Sequence, residues 1–265
     1  MKVSGARVVV TGAGSGIGRA TALRFARGGA NVVAVDINEP AARSTAQDCV
    51  AQGRPAFYRC DVSEREAVQA LAEQIEAELG PVDVVVNNAG VGLVGDFLDT
   101  SAEDWDWLRG VNLDGVAYGC RAFGEPMVRR GRGHVVNVAS GAGYMPHRTL
   151  AAYCATKAGV IMLSQCLRAD WARHGVGVSV ICPGVIDTPI ASRARMVGAL
   201  ADKRAAAVRA LGFGRAPDVV AKAIVGAVEH NRALVPVGVE SSVAFRVLRF
   251  APGPLQSALA RAQVI

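Results

Sequence analysis

Several absences narrow what this chain can do. None of its apolar stretches reaches the ~18–20 residues needed to cross a bilayer, which excludes a channel or transporter built on membrane-spanning helices. Apolar Val8-Val9-Val10 follows so soon after Met1 that no signal peptide is expected, and a cytoplasmic protein is. Aromatic residues make up only 5% of the chain, and no Lys/Arg run is interleaved with them, so a nucleic-acid surface is not expected. The four histidines form no H-x-x-H pair, and no metal is expected. Cys49, Cys60, Cys120, Cys154, Cys166 and Cys182 are scattered, without metal spacing or a disulfide framework, as free thiols in a reducing compartment would be. No repeat, low-complexity tract or linker divides the chain. At 265 residues and 51% hydrophobic, it can bury the core of one sizeable domain.

What is present is more specific. Val8-Val9-Val10 reads as a buried strand and runs into T-G-A-G-S-G-I-G, with Gly12, Gly14, Gly16 and Gly18. A helical pattern follows through Ala20, Leu23 and Phe25, ended by Gly28-Gly29. Strand, glycine turn and helix together suit a dinucleotide, because missing Cβ atoms let the backbone approach a pyrophosphate at the positive end of a helix. Asp36 ends the next apolar run, eighteen residues after Gly18, where a carboxylate can bind a ribose 2′-hydroxyl and repel a 2′-phosphate. Ile37 offers no compensating charge. NAD is favoured over NADP, with Arg19 as the basic residue that weighs the other way.

A second signature is Tyr153 and Lys157, spaced i to i+4 in Y-C-A-T-K and so on one face of a helix. Ser140 precedes Tyr153 by thirteen residues. An ammonium beside a phenol favours the phenolate, so Tyr153 is expected to titrate closer to neutrality than a free tyrosine and to act as general acid–base. Ser140 would donate a hydrogen bond to the same substrate oxygen.

With these residues in place, the chain resembles the short-chain dehydrogenase/reductase family over about residues 5–237. Thr11, Gly12, Gly16 and Gly18 fit its T-G-x-x-x-G-x-G, with Ser15 and Ile17 between them. Asp61-Val62 looks like the family's adenine-contacting pair, and Asn87, Asn88, Ala89 and Gly90 form N-N-A-G. Asn112 matches an asparagine that supports a water-mediated proton path to the lysine. Pro183, Gly184, Val185, Ile186 and Thr188 lie in P-G-V-I-D-T, which resembles the segment that fixes the nicotinamide. The resemblance implies a catalytic tetrad of Asn112, Ser140, Tyr153 and Lys157. It also implies a cofactor site built from the glycine turn, Asp36, Ile37, Asp61, Val62, Asn88–Gly90, Tyr153, Lys157 and the 183–188 segment, and an enzyme that moves a hydride between NAD and a secondary alcohol or ketone.

The order of patterns supports such a fold. Strand-like runs at 7–11, 31–36, 56–60, 82–87, 133–139, 177–182 and 233–237 alternate with helical ones near 17–28, 40–52, 63–79, 101–130, 150–173 and 217–230. Alternation of this kind predicts a single α/β domain of Rossmann type, a doubly wound parallel sheet with helices on both faces and ligands at the carboxyl ends of the strands. That domain is expected over residues 1–240, with an apolar and basic extension at 241–265. In relatives the substrate pocket is shaped by the loop after Ser140, the segment after Thr188 and the C-terminus. Tyr144, Met145 and Met196, with Ser140 and Tyr153, are the expected substrate contacts here. An alanine-rich stretch at 189–213, including Met196, Val197, Leu200 and Leu211, resembles a mobile helical lid. This lining favours a steroid, terpenoid or fatty alcohol or ketone over a free sugar. His147 reads as a rim residue.

Charge is uneven. Residues 189–265 hold 11 Lys+Arg against 4 Asp+Glu, while residues 1–188 hold 18 against 19. In the tail, Val243, Phe245, Val247, Leu248 and Phe250 crowd beside Arg246 and Arg249, and a second apolar piece with Arg261 runs from Leu255 to Ile265. Packing on a neighbouring subunit, closing over the substrate pocket and lying on an anionic membrane all remain open for this tail. A homo-oligomer is expected, a tetramer or dimer pairing the helices at 101–130 and 150–173 through Tyr118, Cys120, Phe123, Met162, Leu163 and Leu167. Two other classes stand beside the enzyme: a non-catalytic NAD-binding subunit, and a membrane- or partner-docked protein that retains the fold.

Overall fold

The computed structural model describes residues 1–49, 55–203, 214–250 and 252–254, with the side chains of 202–203 and 248–250 left aside. Within these residues the strands are β1 (Arg7–Thr11), β2 (Asn31–Asp36), β3 (Ala56–Arg59), β4 (Val84–Asn87), β5 (Leu93–Val94), β6 (Gly133–Val138), β7 (Val176–Pro183), β8 (Arg195–Met196) and β9 (Leu234–Val237). Seven of them form one sheet in the order β3-β2-β1-β4-β6-β7-β9, every pair parallel. Sequence order reverses between β1 and β4, and a crevice opens at such a switch point beyond the carboxyl ends of the strands.

The alternating period of the strands builds two cores. Val9, Val85 and Val135 face one side, under Ile75 of α3 (Arg65–Leu79), Phe123 and Met127 of α5 (Gly115–Arg130) and Val160 of α6 (Ala151–Ala172). Val8, Val10, Val84, Val86 and Val136 face the other, under Phe25 of α1 (Gly16–Arg27), Ala46 of α2 (Glu39–Cys49) and Val220, Ile224 and Val228 of the helix Pro217–His230. With both faces covered, strands read as unbroken apolar runs. Phe25 and Phe123 are fully buried, so truncating either to Ala would cost about 3–5 kcal/mol.

Helix ends follow local rules. Gly131 closes α5 in the left-handed conformation, and Pro217 opens its helix where a missing N–H is harmless. The expected single helix at 101–130 is divided into α4 (Ala102–Arg109) and α5, joined by a π-helical turn at Gly110–Asp114. The turn carries Asn112, whose side chain is held by the backbone of Val91. π turns concentrate at functional sites.

The expected helical lid differs over its described part. Ile190–Arg193 is a four-residue helix, Arg195–Met196 then pairs with β5 as a two-stranded ribbon, and a 3₁₀ helix follows at Gly198–Lys203. Arg195 fixes the ribbon by pairing with Asp104 at 2.8 Å and stacking on Trp107. Residues 204–213, Leu211 among them, lie outside the described residues. So do the side chains of Leu248, Arg249 and Phe250 and all of Leu255–Ile265. The last described helix, Val239–Phe250, follows β9 directly and returns over the end of the sheet. Among the described residues, no helix is long and apolar enough to cross a membrane.

Cys120 and Phe123 were expected to offer surface for a partner. Both are in the core of this chain instead, because α5 turns them toward β4 and β6, whereas Met162 on α6 is 60% exposed. All six cysteines are unpaired.

Candidate active site

The site begins where β1 ends. Gly12 has φ +63°, and a Cβ there would lie 2.9 Å from Ala89 Cα. A Cβ on Gly18 would lie 2.0 Å from the Gly12 carbonyl oxygen, so α1 can start this close to the turn only with glycine. The first turn of α1 carries no acidic residue, and the N-cap Ser15 makes no side-chain capping bond. The positive end of α1, with Gly16 and Ile17, therefore meets the crevice without a built-in anion.

Asp36 stands beside this turn at the end of β2. It accepts hydrogen bonds from the Gly14 N–H at 2.8 Å and the Asn38 N–H at 2.9 Å, while Ile37 is 56% exposed. Arg19 is engaged by Asp48 at 2.7 Å. Thr11, outside the expected site set, is a hub: its hydroxyl accepts from the Asn88 and Ala89 N–H groups at 3.0 and 3.1 Å. Asn88 Nδ2 in turn donates to the Thr11 carbonyl at 2.9 Å. These bonds stitch the N-N-A-G segment to the glycine turn. Asp61 holds Ser63 through its N–H and hydroxyl, at 3.0 and 2.7 Å, and so shapes the entry to α3, beside buried Val62. Thr188 closes the opposite side, its Cγ2 lying 3.1 Å from where a Gly16 Cβ would be. A nicotinamide dinucleotide fits this set: an anion-ready helix start, a backbone stripped of Cβ atoms and a carboxylate at the ribose position.

Ser140 follows β6, and Tyr153 and Lys157 occupy successive turns at the start of α6. Lys157 Nζ lies 5.8 Å from the Tyr153 ring centre and donates to the Val138 carbonyl at 3.1 Å. Gly90 separates Asn112 from Lys157: a Cβ on it would lie 3.3 Å from Asn112 Oδ1 and 3.6 Å from Lys157 Nζ. The four expected tetrad residues thus meet at one end of the sheet.

Their electrostatics differ from the expectation. Burial pushes the Tyr153 phenol up to about 12; the Ser140 hydrogen bond opposes the rise and Cys154 adds to it. Burial likewise pulls the Lys157 ammonium down to about 8, against a smaller pull from Cys182. In the protein alone desolvation dominates both groups, and it holds the Tyr153 phenol away from neutrality. A further positive charge in the cleft would be needed.

The expected substrate residues divide. The Tyr144 hydroxyl donates to the Ser241 carbonyl at 2.9 Å and meets Ser241 Oγ, and its ring packs edge-on against Phe245 at 5.4 Å. Met196 is buried with Val94 and Ala194. Met145 is partly exposed in the loop. In the same loop, His147 Nδ1 and Thr149 Oγ1 are buried without a partner, and burial lowers the His147 pKa.

Pro183–Thr188 is bound by residues that local sequence patterns did not reveal. Gly184 N–H donates to the Val237 carbonyl at 2.8 Å, Val185 N–H to Glu240 Oε1 at 3.2 Å, and Asp187 N–H to the Arg215 carbonyl at 2.9 Å. Ile186 bridges to Arg215, and Arg215 pairs with Glu240 at 2.5–2.6 Å. Their only sequence signal is two opposite charges 25 residues apart.

Comparison with known proteins agrees with this geometry. Residues 6–196 match the family described as short chain dehydrogenase. The chain belongs to that family. It is 47% identical to the Mycobacterium tuberculosis protein named "Probable oxidoreductase EphD" over 97% of this chain and 45% of that protein. The chain therefore spans about half the length of the curated relatives it matches there. It is 38% identical to the D-threitol dehydrogenase of Mycolicibacterium smegmatis, over 73% of this chain and 75% of the relative. Among solved structures, a short chain dehydrogenase/reductase from Burkholderia phymatum in complex with NAD superposes with a TM-score of 0.88 at 31% identity, covering 100% of this chain and 98% of that one. The seven-stranded parallel sheet of this chain is the Rossmann-type sheet of that structure.

Proposed function

We propose that this chain is an NAD-dependent dehydrogenase that interconverts a secondary alcohol and a ketone. The observation that carries this reading is the meeting of Ser140, Tyr153 and Lys157 at the same end of the sheet as the glycine turn and Asp36. A bound nicotinamide would supply the hydride acceptor or donor. Ser140 and Tyr153 hold the substrate oxygen, and Tyr153 takes its proton on oxidation or returns it on reduction. Lys157 holds ribose hydroxyls and adds positive charge beside the phenol. Asn112, across Gly90 from Lys157, supports the water path that reloads the proton. Asp36 selects NAD over NADP by repelling a 2′-phosphate.

For the substrate we propose a hydrophobic alcohol or ketone, supported by Met145 and the apolar ribbon around Met196. A polyol is the competing reading: the unpartnered His147 and Thr149 atoms would suit further hydroxyls, and one relative is named for D-threitol. We propose further that the enzyme is a homo-oligomer in the cytoplasm, supported by exposed Met162 and six unpaired thiols.

The test is a panel of 3β-hydroxysteroid, long-chain secondary alcohol and D-threitol with NAD and NADP, read by absorbance of the reduced cofactor. Tyr153→Phe should lose ~10²–10⁴ of turnover and keep NAD affinity. Retention of more than about a tenth of wild-type turnover sinks the assignment.

A further inference from the structure

The chemistry proposed above makes no use of the helix Val239–Phe250, yet two adjacent residues in its first turn grip two different walls of the cleft. Ser241, 1% exposed, donates from Oγ to the Cys182 carbonyl at 2.7 Å, at the end of β7. The single phenolic proton of Tyr144 is shared between the Ser241 main-chain carbonyl and Oγ, and Phe245 seats the Tyr144 ring. Glu240 instead holds Arg215 and the Val185 N–H, in the wall formed by Pro183–Thr188.

Tyr144 connects this helix to the reacting centre. Ser140 caps the tight turn Gly141–Gly143, and its Oγ accepts from the Ala142 N–H at 3.2 Å. The turn closes through Gly143 N–H to the Ser140 carbonyl at 3.0 Å and Tyr144 N–H to the Gly141 carbonyl at 3.2 Å. A turn of Gly-Ala-Gly has almost no side chain with which to anchor itself, so its far end must be held from outside. Tyr144 is that far end. Even ~1 Å of drift in a catalytic hydroxyl can cost ~10² in rate.

We propose that Tyr144 and Ser241 are positioning residues for Ser140, and that Glu240 with Arg215 positions the Pro183–Thr188 segment. One helix turn thus holds the substrate wall and the cofactor wall through separate bonds. The proposal rests on the dehydrogenase reading. It also makes Tyr144 a strut rather than a substrate contact.

Hydrogen–deuterium exchange on the full chain, without cofactor, tests the two grips directly. Ser241→Ala and Tyr144→Phe should speed exchange at amides 141–145 by ~10-fold or more and leave 184–187 at wild-type rates; Glu240→Gln should do the reverse. In turnover of whichever panel alcohol the wild type oxidises, the first pair should lower kcat ~10-fold with the KM for NAD within about twofold, because the hydroxyl is misplaced while the cofactor wall is intact. Ser241→Thr should restore kcat. Glu240→Gln should raise the KM for NAD about fivefold or more at near-wild-type kcat. If both segments loosen together in every variant, if neither loosens, or if kcat is unchanged in Ser241→Ala, the proposal is overturned. Tyr153→Phe separates the two failures: an active Tyr153→Phe overturns the reaction assignment, whereas an inactive one beside an unaffected Ser241→Ala overturns the positioning role alone.

Discussion

Asn112 exchanges two hydrogen bonds with the backbone of Val91: its Oδ1 accepts the Val91 N–H at 2.8 Å and its Nδ2 donates to the Val91 carbonyl at 2.9 Å. The side chain behaves as a strand neighbour would, and both of its polar atoms are used in holding the segment that follows N-N-A-G. Asn112→Leu is similar in size but leaves both Val91 groups unpaired, which should cost about 2–4 kcal/mol in total. Chemical denaturation measures the loss, and turnover should fall with it as Gly90 moves relative to Lys157. A variant as stable as wild type would show that the Val91 contact is dispensable.

Lys157 gives a prediction of opposite sign. It is 3% exposed, and burial depresses its pKa from the ordinary 10.5 to about 8. The unfolded chain therefore binds more protons than the fold between those values, so its contribution to stability is missing below about pH 8 and grows as pH rises toward 10.5. At pH 7 the buried charge costs about 3 kcal/mol. Lys157→Met removes that cost but gives up the bond to the Val138 carbonyl, so thermal melting at pH 7 should rise by a few degrees while turnover collapses. A lower Tm would mean that the ammonium stabilises its pocket.

The parts of the site legible in sequence are those written in local spacing. The glycine turn, Asp36 at a strand end and the i to i+4 pair of Tyr153 and Lys157 each need only a short window, and parallel strands with both faces buried announce themselves as valine runs. What was not legible depends on distance along the chain or on burial. Glu240 and Ser241 show their roles only when the last helix folds back on Arg215 and Tyr144. The π turn at Asn112 interrupts no apolar pattern, since Val111 and Leu113 continue it. Cys120 and Phe123 fit an exposed apolar face as well as a core one until α5 is docked. Proximity of Tyr153 to an ammonium can be read from spacing, whereas the burial that raises its pKa in the protein alone cannot.

Cofactor choice should turn on Asp36. Both of its oxygens accept backbone N–H groups, from Gly14 and Asn38, which fixes the carboxylate beside the glycine turn. Arg19 is occupied by Asp48, and the neighbouring Ile37 is exposed and neutral. Asp36→Ala should weaken NAD and narrow the gap to NADP by ~10-fold, and adding Ile37→Arg should narrow it further. Ratios of kcat/KM for the two cofactors decide this. Wild-type protein that uses NADP as well as NAD would contradict the role given to Asp36.

His134 on β6 supplies a pH test at the far end of the sheet from the chemistry. Ser179 Oγ spends its one proton on the Arg232 carbonyl, so the 2.8 Å contact with His134 must carry the proton on His134 Nε2. Nδ1 is then the bare nitrogen, pressed against Gly177, where a Cβ would come within 2.3 Å. Burial holds the imidazole pKa down to about 4 from the ordinary 6.5, helped by the charges of the N-terminus and Arg168. The fold therefore favours neutral His134. Its contribution is fully present above pH 6.5 and is lost as pH falls toward 4, because the unfolded chain takes up the proton first. The span corresponds to at most about 3 kcal/mol. His134→Gln can keep a donor to Ser179 without titrating, so the difference in unfolding free energy between wild type and variant should shrink steadily from pH 7 to pH 4.5. Carboxylates titrate in both proteins and cancel in that difference. Parallel stability curves for the two proteins across this window would show that His134 is not the group whose protonation weakens the fold.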